Sequence, residues 1–295
     1  MSGTQARSGA QTVPDPKDRR ADAHIGPERH SVGRADVGIG PCAATLPKGT
    51  AMKDSLFAII SQRKLTDSVY EMKLSGDTSH ITRPGQFVNL KIDGLYLRRP
   101  ISVCDLDGDT LTLIYKRVGA GTEALSRMEP GDRLPILSGL GNGYDLSLAG
   151  EKPLLIGGGV GVPPLYLAAK LLRAAGKQVS VILGFNSAAE IFYEEEFRAL
   201  GCRVTVTTVD GSRGVKGFVT DALPAEYSHV YTCGPEPMLR AVYRRIESGG
   251  SFSFEKRMGC GFGACMGCSC KTIAGYKRIC REGPVLQKEE ILWED

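Results

Sequence analysis

Between residues 257 and 268 the chain reads Arg257-Met258-Gly259-Cys260-Gly261-Phe262-Gly263-Ala264-Cys265-Met266-Gly267-Cys268, and a further cysteine follows at Cys280. Three thiols spaced C-x4-C-x2-C with a distant fourth form the ligand pattern of a plant-type [2Fe–2S] cluster. A backbone that wraps a compact inorganic core needs tight turns, and Gly259, Gly261, Gly263 and Gly267 are residues that adopt positive φ freely. Amides released by such a wrap can donate to the cluster sulfurs and help to set its potential. The chemistry expected of this stretch is one-electron transfer. A structural zinc site would also use four cysteines, but in two close pairs, and Cys265 with Cys268 is the one pair that fits. Cys270 could replace Cys268 or form a C-x4-C of its own with Cys265. The preferred metal set is Cys260, Cys265, Cys268 and Cys280, with Cys270 a spectator.

The rest of the chain has to serve that loop. Its 295 residues exceed what one core usually holds, and 42% apolar residues suit an ordinary globular protein of about two domains. No apolar run reaches the length of a membrane span. A net charge of +4, with the basic residues scattered, gives no footprint for nucleic acid. Nine cysteines, an odd number gathered toward one end, argue against a secreted disulfide framework and for a reducing, cytoplasmic setting. Residues 1–51 contain no Phe, Tyr or Trp and no amphipathic period, so they are expected to be a disordered extension that lies upstream of a natural start at Met52 and has no role. They lack the apolar core of a signal peptide, and their acidic residues are wrong for a transit peptide.

Residues 52–149 read as all-β. The apolar run Leu56-Phe57-Ala58-Ile59-Ile60-Ser61 opens the segment, and strands are expected over 69–74, 86–92, 97–103, 110–116 and 133–137. Pro84-Gly85, Asp107-Gly108-Asp109 and Pro130-Gly131 punctuate them, and six short strands suggest a small antiparallel barrel. Two pieces look chemical. Arg99-Pro100-Ile101-Ser102 sets a guanidinium, able to clamp a phosphate, three residues before a hydroxyl that can donate to a ring nitrogen. Gly119-Ala120-Gly121-Thr122 offers bare amides and a hydroxyl ahead of a helical stretch, which suits a pyrophosphate. Either piece alone is as well explained by an ordinary strand or turn. Their order resembles the flavin barrel of the ferredoxin reductase superfamily, with Ile101 where many members carry an aromatic residue. That resemblance implies FAD, and it adds Ile114, Tyr115 and Lys116, on the strand leading into the phosphate loop, to the flavin site.

Near residue 150 the grammar changes to alternating strand and helix, the pattern of a doubly wound parallel sheet over 150–250. A strand at 153–156 runs into Gly157-Gly158-Gly159-Val160-Gly161-Val162-Pro163-Pro164, and a helix is expected over 165–175. Such a turn places bare amides and a helix dipole against a dinucleotide phosphate, so Gly158, Gly159, Gly161 and Val162 are cofactor-binding candidates. Further strands are expected at 179–184, 203–208 and 229–232, with helices over 189–200 and 236–247. The last strand ends in Cys233-Gly234-Pro235-Glu236-Pro237-Met238. Ligands of open α/β sheets bind beyond the carboxyl ends of strands, so Cys233 and Gly234 would stand at the nicotinamide. A buried structural cysteine ahead of a proline-started helix is the bland alternative. Gly184-Phe185-Asn186-Ser187 carries no arginine cluster and Asp210 leaves an acid nearby, which favours NADH, while Arg213 keeps NADPH open.

Taken together, residues 52–295 resemble the iron–sulfur electron-transfer subunits of class B, NAD-dependent dihydroorotate dehydrogenases. The residues that carry the likeness are Arg98-Arg99-Pro100-Ile101-Ser102, the run Gly157 to Leu165, the run Met258 to Cys268, and Cys280-Arg281-Glu282-Gly283-Pro284-Val285. The last of these selects Cys280 over Cys270 as the fourth ligand. The resemblance implies FAD in the barrel, one [2Fe–2S] cluster in the C-terminal segment 251–295, and NAD(H) in the α/β domain. It also implies a hetero-oligomer with an FMN-containing catalytic subunit that oxidises dihydroorotate in pyrimidine synthesis. Phe262, Met266 and Gly267 are candidates for the docking face. The same modules could instead serve a hydrogenase, a sulfide-linked complex or a transhydrogenase. Two further alternatives are a stand-alone flavin reductase with a structural metal and a flavin-containing regulator without activity.

Overall fold

A computed structural model describes residues 52–293; the extension expected over 1–51 lies outside the described residues. The chain opens with six antiparallel strands: β1 (Lys53–Lys64), β2 (Val69–Ser75), β3 (Phe87–Leu90), β4 (Arg99–Asp107), β5 (Thr110–Lys116) and β6 (Arg133–Leu140). They close into a barrel in the order β1-β2-β5-β4-β3-β6. Alternation fixes which side chains fill it, since residues two apart on a strand share a face. Phe57 and Ile59, Met72 and Leu74, Leu111 and Leu113, and Leu134 and Ile136 all point inward and are buried. A short helix, α1 (Ala120–Leu125), plugs the barrel with Leu125.

The second half alternates as expected: β7 (Leu154–Gly158), α2 (Pro163–Ala174), β8 (Ser180–Phe185), α3 (Glu194–Ala199), β9 (Arg203–Thr208), β10 (Val215–Lys216), β11 (Val230–Cys233), α4 (Glu236–Arg245) and β12 (Gly250–Ser253). After two strands of the thiol segment, β13 (Ser269–Thr272) and β14 (Gly275–Arg278), comes β15 (Val285–Gln287). The large sheet runs β10-β9-β8-β7-β11-β12-β15, parallel throughout except for the antiparallel β15 at its edge. Central β7 is buried at every residue, as a strand covered on both faces must be.

Two features depart from the sequence reading. The helix expected over 189–200 is only Glu194–Ala199, because Tyr193 adopts φ 65°, a left-handed backbone that a right-handed helix cannot pass through. The sheet also continues past residue 250: β12 and β15 come from the thiol-bearing end of the chain, so Phe252, Leu286 and Ile279 share one core with Ile156 and Val230. The cluster-bearing segment is therefore built into the dinucleotide sheet. Among the described residues no helix is long and apolar enough to cross a membrane.

Candidate functional site

The two pieces singled out in the barrel meet. Arg99 opens β4 and its side chain crosses to the α1 turn, where a Cβ at Gly121 would stand 2.2 Å from Arg99 Nε. Only glycine allows the guanidinium to lie so close to that backbone. Thr122 does not offer a free hydroxyl: its Oγ1 accepts the amides of Val118 at 2.9 Å and Gly119 at 3.3 Å and donates to the Gly119 carbonyl at 3.2 Å. It shapes the loop, and Ala120 and Gly121 form the first turn of α1 beside Arg99. Ser102 lies three residues along β4, opposite Phe87 on β3, with Ile101 opposite Val88 and Pro100 opposite Asn89. On β5, Ile114 joins the core shared with the sheet, Lys116 is exposed, and Tyr115 turns into the barrel, stacked on Tyr70 with its hydroxyl donating to Gln62 Oε1 at 2.8 Å. Of these three, Ile114 and Tyr115 therefore give their side chains to the fold.

The two pieces of the sheet meet as well. A Cβ on Gly161 would stand 2.3 Å from the Cys233 carbonyl oxygen, and one on Gly158 would stand 2.5 Å from Met238 Sδ. The glycine turn and the Cys233-Gly234 end of β11 are thus pressed together at the carboxyl edge, with Gly159 at φ 51° and Val162 buried beneath them. Burial pushes the Cys233 thiol up to about 12, so it is neutral and polarizable and not a nucleophile. A cavity of about 610 Å³ lined by Lys152, Arg173, Ser180, Cys202 and Arg203 lies at the amino ends of β8 and β9, the opposite edge of the sheet, and is no part of this site.

The thiol loop follows β12. Gly261 and Gly263 take φ of 77° and 95°, and Met266, without glycine's freedom, takes 61°. The resulting wrap turns amides onto sulfur. Cys260 Sγ accepts from Ala264 N–H at 3.2 Å and Cys265 N–H at 3.4 Å, Cys265 Sγ accepts from Cys260 N–H at 3.5 Å, and Cys268 Sγ accepts from Cys280 N–H at 3.4 Å. Although burial opposes it, backbone donors from Phe262, Cys265 and Ala264 bring the Cys260 thiol down to about 6. Burial and the neighbouring Cys268 thiol push Cys280 up to about 12. All eight described cysteines are free thiols. Cys260 and Cys265 lie toward the surface, whereas Cys268 and Cys280 are buried. Among the described residues no three His, Cys, Asp or Glu side chains are gathered to hold a single ion. Two sulfur pairs, one outer and one inner, fit a centre in which four thiolates are shared between two irons. Cys270, on β13, packs half-buried against the core.

Sequence reasoning missed what ties this loop to the barrel. Asn89, on β3 beside Pro100, donates from Nδ2 to the Cys260 carbonyl at 3.3 Å, and a Cβ on Gly261 would stand 1.9 Å from the same nitrogen. Asn89 Oδ1 is buried with no protein partner among the described residues, so this junction retains an acceptor. Asn142 anchors the far end: its Nδ2 reaches the carbonyls of Glu282 at 3.1 Å and Val285 at 2.7 Å, and its Oδ1 accepts from Val285 N–H at 3.0 Å. A lone Asn in a strand gives no sequence signal for such a role.

A closed barrel that carries a guanidinium-lined loop, a parallel sheet with a glycine turn at its carboxyl edge, and a sulfur loop bonded to the barrel together define a ferredoxin-reductase-type electron carrier with its own iron–sulfur segment. Comparison with known proteins narrows this. Residues 255–292 match the family described as the iron–sulfur cluster binding domain of dihydroorotate dehydrogenase B, and residues 155–244 match the oxidoreductase NAD-binding domain. The chain belongs to the family of dihydroorotate dehydrogenase B (NAD(+)) electron transfer subunits. It is 44% identical to the Bacillus caldolyticus member over 250 residues, covering 79% of this chain and 96% of that one. It is also 44% identical to the Fusobacterium nucleatum member over 245 residues, covering 77% and 94%. Among solved structures, an NADH-dependent reduced ferredoxin–NADP oxidoreductase superposes with a TM-score of 0.73 at 29% identity, covering 83% of this chain and 91% of that one. A ferredoxin reductase of carbazole 1,9a-dioxygenase, at TM-score 0.58 and 23% identity, shares the fold.

Proposed function

We propose that this chain carries electrons between NAD and an FMN-containing dihydroorotate dehydrogenase subunit, in pyrimidine synthesis, through FAD and a [2Fe–2S] cluster. The observation that supports it most is the 3.3 Å bond from Asn89 to the Cys260 carbonyl, which fastens the sulfur loop to the strand beside Arg99–Ser102. Nicotinamide gives up two electrons as a hydride and a two-iron cluster takes them singly, and FAD supplies the group able to do both.

In this reading Arg99 and the amides of Ala120 and Gly121 hold the FAD pyrophosphate, in fork geometry and at a turn free of side chains. Ser102 donates toward the ring, and the β5 backbone at Ile114–Lys116 flanks it. The amides of the Gly158–Val162 turn and the α2 dipole hold the NAD pyrophosphate, and Cys233 with Gly234 confines the nicotinamide. Cys260, Cys265, Cys268 and Cys280 hold the irons. The amides aimed at Cys260 and Cys268 make the reduced, more negative cluster easier to form. Oxidation of dihydroorotate belongs to the partner, which docks over the outer sulfur pair, where Phe262 and Met266 are exposed. The free thiols suit a reducing, cytoplasmic setting.

The test is reconstitution. Dihydroorotate-driven NAD reduction is expected only when both subunits are mixed, whereas orotate formation by the single chain would contradict the assignment. The likeness to the NADH-dependent ferredoxin–NADP oxidoreductase supports a second reading, the same modules serving another redox partner. Failure to co-purify with a tagged dihydroorotate dehydrogenase subunit would favour it.

A further inference from the structure

The loop after β9 carries the two residues that bear on which dinucleotide is taken. Asp210 caps the turn, its Oδ1 accepting from Ser212 N–H at 2.9 Å and Ser212 Oγ at 2.6 Å, and its own amide donates to the Asn186 carbonyl beyond β8 at 3.2 Å. Three residues on, Arg213 is pinned twice. Its backbone is held by buried Thr208, whose Oγ1 donates to the Arg213 carbonyl at 2.7 Å and accepts its N–H at 3.1 Å. Its guanidinium Nη2 lies 2.9 Å from Glu194 Oε2, while Arg198 occupies the other oxygen at 2.9 Å. Glu194 is only 7% exposed, and it stands in the first turn of α3 immediately after left-handed Tyr193. A carboxylate so enclosed cannot turn to water, so it stays between Arg198 and Arg213, and Arg213, itself more than half exposed, keeps one guanidinium nitrogen on it.

We propose that Glu194 sets the choice between NADH and NADPH by keeping the Arg213 guanidinium engaged. The inference rests on the reading of the β7–β9 carboxyl edge as the dinucleotide site. A ribose 2′-hydroxyl needs only an acceptor there, which Asp210 supplies. A 2′-phosphate needs an unclaimed guanidinium in fork geometry. Arg213, on the same loop as Asp210, is the residue of the right type, and its Nη2 is already engaged by Glu194. A phosphate brought to it would compete with Glu194 for the same guanidinium. Lys216, whose stem lies over Gly211, is a second cation, but a point charge without the fork. Released from Glu194, Arg213 and Lys216 would grip the phosphate jointly.

The experiment uses the full chain and two probes, ADP-ribose and 2′-phospho-ADP-ribose, measured by calorimetry, alongside NADH and NADPH oxidation with an artificial acceptor. Glu194→Gln, which keeps the shape and removes the charge, is expected to tighten 2′-phospho-ADP-ribose by about tenfold or more and to raise kcat/KM for NADPH in proportion, with ADP-ribose moving less than about twofold. Adding Arg213→Gln to that variant should abolish the gain. Arg213→Gln in the native chain should weaken 2′-phospho-ADP-ribose by less than about twofold, because the guanidinium is not available to it. The proposal is overturned if the native chain binds both probes equally, if Glu194→Gln leaves their ratio unchanged, or if Arg213→Gln alone costs 2′-phospho-ADP-ribose most of its affinity. Should ADP-ribose itself fail to bind, the dinucleotide reading of this edge falls and this proposal with it.

Discussion

A single methylene separates a working junction from a broken one at Gly261. Its φ of 77° disfavours any side chain, and a Cβ there would sit 1.9 Å from Asn89 Nδ2. Gly261→Ala is therefore expected to cost roughly 1–3 kcal/mol of local strain and to lower iron and sulfide content while leaving flavin content unchanged. Iron, sulfide and flavin analysis of the purified variant checks this, and full iron content would refute it. Asn89→Ala removes the Nδ2 donor without a clash. It should leave both cofactors bound and slow electron passage from flavin to cluster, seen by stopped-flow as a longer lag between the two reductions. The sulfur positions were legible at this scale because thiolate chemistry dictates spacing, whereas the roles of Asn89 and Asn142 were not, because amide side chains that bond backbone carry no motif.

At the scale of elements, the barrel strands and the βα alternation follow from residue period. The short α3 does not, because nothing in Phe192-Tyr193-Glu194 announces a left-handed tyrosine. Its place in the fold explains it. Tyr193 Oη donates to Glu71 Oε2 at 2.7 Å across the gap between sheet and barrel, and Arg63 clamps both Glu71 oxygens at 2.7 and 2.9 Å. Glu71 is buried, and although burial alone would raise its pKa, Arg63 and Tyr193 together hold it below the ordinary carboxylate range. A depressed folded-state pKa contributes stability that is present above the unfolded carboxylate pKa and is lost as pH falls through the folded value. Thermal unfolding followed against pH should thus show an acid-side loss in the native chain that Glu71→Gln flattens. Tyr193→Phe should cost about 1–2 kcal/mol at neutral pH. A Glu71→Gln chain with an unchanged acid-side slope would refute this role for Glu71.

At the scale of the whole molecule, the order of modules was readable and their physical union was not. The glycine turn, the Arg99–Ser102 segment and the cysteine run each mark a piece, yet β12 and β15 join the cysteine end to the dinucleotide sheet by pairings that a sequence does not display. That union has a functional consequence. The sulfur loop is held at one end by β3 of the barrel and at the other by the sheet edge, so its distance to both cofactor cradles is set by the fold and not by a linker. Losing the cluster should therefore loosen residues 258–268 while leaving the barrel and sheet folded, which hydrogen exchange on metal-stripped protein would record as faster exchange confined to that loop. The central claim, that one chain turns a hydride into single electrons at the cluster, has a direct measurement: anaerobic mixing of the isolated holoprotein with NADH, followed by visible absorbance and EPR. Flavin bleaching followed by the EPR signal of a reduced two-iron cluster is the predicted result. A flavin that bleaches with no cluster signal after it, or a cluster that NADH reduces without the flavin, would contradict the account.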